Sequence, residues 1–184
     1  MASSQALMLV QSRRWLAERA RGATLEIGVG DWPSLPLYPV DVELTGLDRQ
    51  PRAVAKARRT VARSGRSAAV VEGDAMALDF ADASFDTVAF SFSLCGVPEV
   101  RGALIEGLRV LRPGGALLMV DHVVSTSTPV RVLQRVAEIV TLPIFGEHFT
   151  RRPSLAVHEL DVELVTVERL GRGAIERLHA TKPA

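Results

Sequence analysis

The stretch Leu25-Glu26-Ile27-Gly28-Val29-Gly30 decides how this chain folds. Its apolar part predicts a buried strand, and the two glycines predict a turn in which the backbone can approach a ligand. Asp48 lies eighteen residues beyond Gly30, at the end of a second apolar run. A carboxylate at that point can accept hydrogen bonds from ribose hydroxyls. These features together indicate a nucleotide-binding half-unit.

The size and composition of the chain predict one globular domain over residues 1–184. A chain of 184 residues can bury a sizeable core, and its 47% apolar and 23% charged residues are ordinary for such a domain. The formal net charge of +1 gives no bulk attraction to nucleic acid or to a membrane surface. We therefore expect no nucleic-acid partner.

The cysteine content and the lengths of the apolar runs restrict the classes of protein to which this chain can belong. Cys95 is the single cysteine, which excludes an internal disulfide and a cysteine-rich metal site, and no metal is expected. We interpret Cys95 as a small apolar filler. The run from Ala6 to Val10 is too short for the core of a signal peptide, and no run approaches the roughly 18 apolar residues that span a bilayer. We expect a cytoplasmic protein without an integral membrane segment.

Apolar periodicity predicts strands that alternate with helices. Such alternation favours a mainly parallel sheet covered by helices on both faces. The last two strands are joined by only a few residues, which predicts an antiparallel hairpin at one sheet edge. The predicted helices are an N-terminal helix over about 4–21, within the segment 1–22, a second over 51–64 and a third that starts at 98. A fourth predicted helix is capped by Thr128, and its residues Val132, Val136 and Ile139 are expected to face inward. The predicted strands are 24–28, 42–48, 68–71, 85–92, 116–124, 162–169 and 174–181.

The order of the motifs resembles class I S-adenosylmethionine-dependent methyltransferases over roughly residues 23–125. The most specific motif is a helix that ends in Leu111-Arg112-Pro113-Gly114-Gly115 before an apolar strand. The other matching motifs are Glu26-x-Gly28-x-Gly30, Asp48, Gly73-Asp74-Ala75 and Ser84-Phe85-Asp86-x-Val88. The resemblance implies a Rossmann-like α/β fold with a mainly parallel seven-stranded sheet.

Further segments are similar to the methyltransferase type 11 branch, which includes bacterial phospholipid N-methyltransferases and thiol methyltransferase-like proteins. They are Leu35–Pro39, Ser93–Pro98, Asp121–Val123, Gly146–Arg151 and Ala180–Pro183. The branch implies a small-molecule or lipid head-group acceptor, with a thiol, an amine or an oxygen as the methylated atom. It also implies substrate-side helices over residues 125–160.

The resemblance implies S-adenosylmethionine as the cofactor and S-adenosylhomocysteine as its product. Gly28 and Gly30 would let the backbone pass under the methionine part, and Glu26 would orient its amino group. Asp48 would accept from both ribose hydroxyls. The remaining implied contacts are Asp74 with the adenine amino group, the Ala75 N–H nearby, and Ser91 with the methionine part.

Two departures from the family pattern bear on the site. Trp32 stands where the family has a third glycine, so we expect the indole either to flank the cofactor or to cover the surface. Relatives also carry a longer N-terminal segment that closes over the site, so a more open pocket, or one that a partner closes, is expected here.

Several alternatives stay open. His122 and His148 are candidates for contact with the substrate or its proton, or they are structural. Ser91 is either a cofactor contact or a strand serine bonded to backbone. A nicotinamide-dependent oxidoreductase is disfavoured, because Pro33 stands at the third glycine of its motif. A non-catalytic protein with the methyltransferase fold, acting through cofactor or partner binding, is the remaining alternative.

Overall fold

The computed structural model describes residues 2–146 and 148–184, and these residues form a seven-stranded sheet with the order β3-β2-β1-β4-β5-β7-β6. β1 to β5 are parallel, while β7 is antiparallel to both β5 and β6. This confirms the predicted sheet with its C-terminal hairpin. The elements are α1 (Ala2–Ala17), β1 (Ala23–Ile27), β2 (Glu43–Asp48), α2 (Pro51–Ser64), β3 (Ala68–Glu72), β4 (Phe85–Ser91), α3 (Val100–Val110), β5 (Leu111–His122), α4 (Thr128–Phe145), α5 (Pro153–Val157), β6 (Glu163–Leu170) and β7 (Ile175–Thr181).

The central strands build a core on each face of the sheet, because successive side chains of a strand point to opposite faces. Val88 and Phe90 of β4 pack on one side with Leu104 of α3, whereas Ala89 packs on the other side with Leu16 of α1. The central strands are buried on both faces, as expected for parallel strands under helices. The sequence predicted α1 to continue to about residue 21, but it ends at Ala17 and is followed by turns.

Helix α2 begins and ends where the sequence predicts. Pro51 occupies its first turn, and Gly65 ends it in the left-handed conformation, with φ of 68°. Val54 and Ala57 are buried against the sheet. The helix therefore returns the chain from the end of β2 to the start of β3, which places Asp48 and Asp74 at the same edge of the sheet.

The orientation predicted for α4 is wrong. Val132, Val136 and Ile139 were expected to face inward, but they are 57%, 57% and 74% exposed. The inward side is polar instead: Gln134 bonds to the Ser125 N–H and the Val123 carbonyl, and Glu138 accepts from Thr150. Periodicity identifies the two faces of a helix. It does not identify the docked face when the surrounding loops offer backbone groups that need polar partners.

The connection between β1 and β2 is organised by the buried carboxylate of Glu26, which is 2% exposed. It accepts hydrogen bonds from Trp32 Nε1 at 2.7 Å, from Ser34 Oγ at 2.7 Å and from Tyr38 OH at 2.9 Å. Burial raises the pKa of Glu26, and these donors and the charge of Arg13 act in the opposite direction. An isolated buried carboxylate is costly, so the three donors are what makes Glu26 acceptable in the middle of β1.

Both positions expected for Trp32 are wrong, because the indole is neither a pocket wall nor a surface cover. Trp32 is fully buried, and its ring packs so closely on Gly46 of β2 that a Cβ there would lie 2.7 Å from it. The residue adopts a left-handed backbone conformation, with φ of 58°. That conformation turns the side chain into the core, where Glu26 accepts its N–H.

We predict that Tyr38→Phe lowers the free energy of unfolding by about 1.5–3 kcal/mol, because it removes a hydrogen bond to a buried carboxylate. Urea unfolding followed by tryptophan fluorescence measures the change. Thr60→Val is the control: Thr60 donates to the Asp31 carbonyl at an exposed position, and its loss should cost less than about 0.5 kcal/mol. Equal effects of the two variants would contradict a special role for the Glu26 cluster.

Candidate functional site

A pocket of about 220 Å³ opens at the carboxyl ends of the parallel strands, where open α/β sheets bind ligands. Residues that follow β1, β2, β3 and β4 meet there. The lining residues are Ile27, Gly28, Leu47, Asp48, Arg49, Gln50, Gly73, Asp74, Ala75, Phe92, Ser93, Cys95, Gly96, Val97 and Pro98.

The two glycines after β1 are required for different structural reasons. Gly28 has φ of 75°, and a Cβ there would lie 2.4 Å from Ser93 Cβ, so the β1 and β4 loops touch at this point. Gly30 also has positive φ, at 60°, but a Cβ there would meet nothing within 4 Å. Gly28 is therefore required for close packing, and Gly30 for backbone conformation beside open space.

The Asp48 carboxylate is fixed by two backbone donors. Its Oδ2 accepts from the Gly30 N–H and its Oδ1 from the Gln50 N–H, each at 2.9 Å. The side chain is 9% exposed and lines the pocket. Each carboxylate oxygen has a further lone pair, so Asp48 can still accept hydrogen bonds from a ligand. It also ties the glycine loop of β1 to the end of β2.

Asp74 and Ala75 lie in the same lining, beyond β3. Asp74 Oδ1 accepts from the Met76 N–H at 2.9 Å, and Asp74 pairs with Ala77 in an isolated bridge. The carboxylate is exposed, and its second oxygen is available to a polar ligand. The structure thus brings Gly28, Asp48, Asp74 and Ala75 together around one cavity, with Gly30 bonded to Asp48.

Two other predicted positions lie elsewhere. Glu26 is absent from the lining of this pocket and is engaged by Trp32, Ser34 and Tyr38, which argues against its predicted contact with a cofactor amino group. Ser91 is 7% exposed and also lies outside the lining. Its hydroxyl has no hydrogen-bond partner within residues 2–146 and 148–184.

Sequence reasoning missed Ser93 and Arg49 as site residues. Ser93 lines the pocket, and among the residues that the structure describes its buried hydroxyl has no partner, so it can bond to a ligand. Arg49 lines the pocket directly after Asp48. The signal for Arg49 was its place next to a predicted ribose acceptor. The signal for Ser93 was its place two residues beyond Ser91, past the end of the strand.

An aromatic group lies beside the pocket at the end of β5. His122 packs against Phe92 in a tilted arrangement, with ring centroids 4.8 Å apart, and edge-to-face against Phe149 at 5.5 Å. Burial, together with the charge of Arg13, lowers the pKa of His122 from 6.5 to about 4. His122 is therefore uncharged at neutral pH, and only Phe92 of the three lines the cavity itself.

Asp121 connects β5 to the wall of the pocket. It accepts from the backbone N–H groups of Cys95, at 3.2 Å, and His122, at 2.8 Å. Burial raises the pKa of Asp121 to about 6. The ligand atoms of Cys95, Asp121 and His122 lie within 4.8 Å of one another, as in a metal site. Asp121 is fully buried and lies outside the pocket lining, so we interpret the group as a structural link.

His148, the second histidine candidate, is attached to the same wall through its backbone. Its N–H donates to the Cys95 carbonyl at 2.9 Å. Burial and the charge of Arg151 lower its pKa. The neighbouring residue 147, part of the segment that resembles the type 11 branch, lies outside the described residues.

Comparison with known proteins agrees with this geometry. A family model described as a methyltransferase domain (Methyltransf_11) matches residues 25–119, just over half of the chain. The chain belongs to this methyltransferase family. The match runs from β1 to β5, and so includes the glycine loop, Asp48, Asp74 and the end of β4.

Two curated relatives of this chain are methyltransferases. Phosphatidylethanolamine N-methyltransferase of Cereibacter sphaeroides is 37% identical over 116 residues, which cover 62% of this chain and 57% of the relative. Demethylmenaquinone methyltransferase of Renibacterium salmoninarum is 32% identical over 166 residues, which cover 85% of this chain and 68% of the relative. The chain thus spans between about a half and two thirds of the length of these relatives.

A solved structure of an S-adenosylmethionine-dependent methyltransferase from Methanosarcina mazei has the same fold. It superposes with a TM-score of 0.71 at 23% identity and covers 91% of this chain and 95% of its own. No helix within the described residues is both long and apolar enough to cross a membrane.

The lowered pKa of His122 predicts how acid affects stability. The folded protein binds fewer protons at His122 than the unfolded chain does between pH 6.5 and about 4, so this residue lowers the free energy of unfolding as the pH falls through that range. His122→Phe should remove this loss. The stability of the variant relative to wild type should rise by up to about 2 kcal/mol between pH 7 and pH 4.5.

In wild type and variant alike, Asp121 changes the free energy of unfolding in the opposite direction as the pH falls. Its pKa is raised from 3.8 to about 6, so it raises stability as the pH falls through that window. The difference between the two proteins at each pH isolates His122. Urea unfolding at the two pH values gives that difference, and a constant difference would contradict the lowered pKa.

Proposed function

We propose that this chain binds S-adenosylmethionine in the pocket at the carboxyl edge of the sheet and transfers its methyl group to a small-molecule or lipid head-group acceptor. The observation that carries the proposal is the Asp48 carboxylate. It lines the pocket, it is held by the Gly30 and Gln50 N–H groups, and each of its oxygens keeps a lone pair for a ribose hydroxyl.

The remaining lining residues fit the other parts of the cofactor. Asp74 would accept from the adenine amino group, with the Ala75 N–H nearby. Gly28 and Gly30 would lie under the methionine part, since open space beside Gly30 leaves room for a ligand. Ser93 would donate to the methionine part in place of Ser91, because its buried hydroxyl lies in the lining and has no partner among the described residues.

The aromatic group supports a role in excluding water from the acceptor. When bound, S-adenosylmethionine supplies an activated methyl group, so the protein has to orient an acceptor in line and keep water away. Phe92 lines the pocket, and His122 and Phe149 extend its apolar rim. His122 has a pKa of about 4, so it is a poor proton acceptor at neutral pH.

A neutral, aromatic rim suits a thiol, an amine, a phenol or a small carbon acid, and the 37% identical relative acts on a lipid amine head group. A panel of these acceptors, assayed with methyl-labelled S-adenosylmethionine, tests the transfer. Labelled product with one class identifies the acceptor. Tight cofactor binding without product from any class would favour the alternative of a non-catalytic protein with the methyltransferase fold.

We predict that Asp48→Ala weakens binding of S-adenosylhomocysteine by roughly 10- to 100-fold, because hydrogen bonds to a charged acceptor are lost. Isothermal titration calorimetry measures the affinity. Asp41→Ala is the matched control, since Asp41 is exposed before the start of β2, at the opposite end of that strand. Unchanged affinity in Asp48→Ala would remove Asp48 from the site and refute the proposed cofactor position.

A further inference from the structure

Helix α4 presents its apolar side to solvent. Six large apolar residues of this helix are between 40% and 74% exposed: Val132, Leu133, Val136, Ile139, Val140 and Leu142. At about 100° per residue they fall on one half of the helix. We call this set the α4 apolar face. A single exposed apolar side chain is normal, but a contiguous row of six indicates a surface that binds something apolar.

The opposite side of α4 is held to the protein by polar contacts. Gln134 bonds to the Ser125 N–H and to the carbonyls of Val123 and Phe149. Glu138 accepts from both the N–H and the hydroxyl of Thr150. These bonds fix the helix orientation, so the apolar face cannot turn inward without leaving several buried polar groups unpaired.

The charges of α4 lie at one border of that face. The helix contains three charged residues, Arg131, Arg135 and Glu138. Glu138 is engaged by Thr150 on the inward side, whereas Arg131 lies at one edge of the outward half and Arg135 just inside that edge. An apolar face with arginines at its border is the pattern of a helix that lies in the interface of a bilayer and attracts anionic lipid head groups.

The segment after α4 connects the inward, polar side of this helix to the wall of the pocket. The segment after α4 reaches the pocket wall through the His148 N–H, which donates to the Cys95 carbonyl, and through Phe149, which packs on His122. This attachment uses the side of α4 that lies opposite its apolar face.

We infer that the α4 apolar face docks this protein on the surface of a bilayer that contains anionic lipids, with α4 lying in the plane of the interface. The charge at its border favours this occupant over a second copy of the chain. In a two-fold helix pair centred on Val136, the two Arg135 side chains would approach each other and repel, whereas anionic head groups neutralise them. Docking goes beyond the proposed methyl transfer and holds whichever acceptor is used.

Co-sedimentation with vesicles tests the inference. Wild-type protein should sediment with vesicles of phosphatidylcholine mixed with phosphatidylglycerol. Val136→Glu/Ile139→Glu should lower the partition coefficient by at least about tenfold, because two apolar side chains that enter the bilayer on docking are lost. Val40→Glu/Ile105→Glu is the matched control: it adds the same charge at exposed apolar positions outside α4 and should bind nearly as wild type.

The charge requirement is tested separately. Arg131→Gln/Arg135→Gln should lower binding to the mixed vesicles by about 10- to 30-fold, since each basic residue near an anionic surface contributes about 1 kcal/mol. Binding to vesicles of pure phosphatidylcholine should change little. Both α4 variants should bind S-adenosylhomocysteine as wild type does, so a failure of docking and a failure of the proposed cofactor site are distinguishable by calorimetry.

Three outcomes would overturn the inference. The first is wild-type protein that does not sediment with the mixed vesicles. The second is equal binding of wild type and the Val136→Glu/Ile139→Glu variant. The third is a wild-type dimer in analytical ultracentrifugation that this variant dissociates, without vesicle binding, which would assign the face to self-association.

Discussion

The buried carboxyl group of Glu26 is the constraint on which the geometry of the site depends. A carboxylate in the middle of a central strand has to be satisfied by donors, and the chain supplies them from the next connection: Trp32, Ser34 and Tyr38. To bring the Trp32 indole inward, the backbone has to turn immediately after Gly30. A hydrogen-bonded cluster in the core thus determines the position of the glycine loop.

Asp48 holds the same loop on the side of the pocket. Its carboxylate accepts from the Gly30 N–H, which connects the loop after β1 to the end of β2. A ligand that bonds to Asp48 meets a group already oriented by two backbone donors, so little ordering is required on binding. The pocket is therefore preorganised on its β1–β2 side. On the other side, the contact between Gly28 and Ser93 fixes the approach of β4.

The C-terminal part of the chain is attached to the protein in a different way. From Ser125 onward, polar side chains and backbone groups attach α4 to the body, and the apolar residues remain outside. The family match ends at residue 119, before this region. The part shared with the family thus holds the predicted cofactor residues, while the part beyond it carries the α4 apolar face.

The sequence by itself determined the α/β class, the parallel sheet with its C-terminal hairpin, the bounds of α2 and the family. These follow from local signals: apolar runs, Pro51 and Gly65 at helix ends, and short motifs at strand ends. It also predicted Gly28, Asp48, Asp74 and Ala75 as neighbours, because the carboxyl ends of parallel strands meet at one edge. Only the tertiary structure decided where Glu26 and Trp32 point, that Ser93 and not Ser91 lines the pocket, and which face of α4 is inward. Each of these depends on which distant polar groups need a partner, and a pattern along the chain does not contain that information.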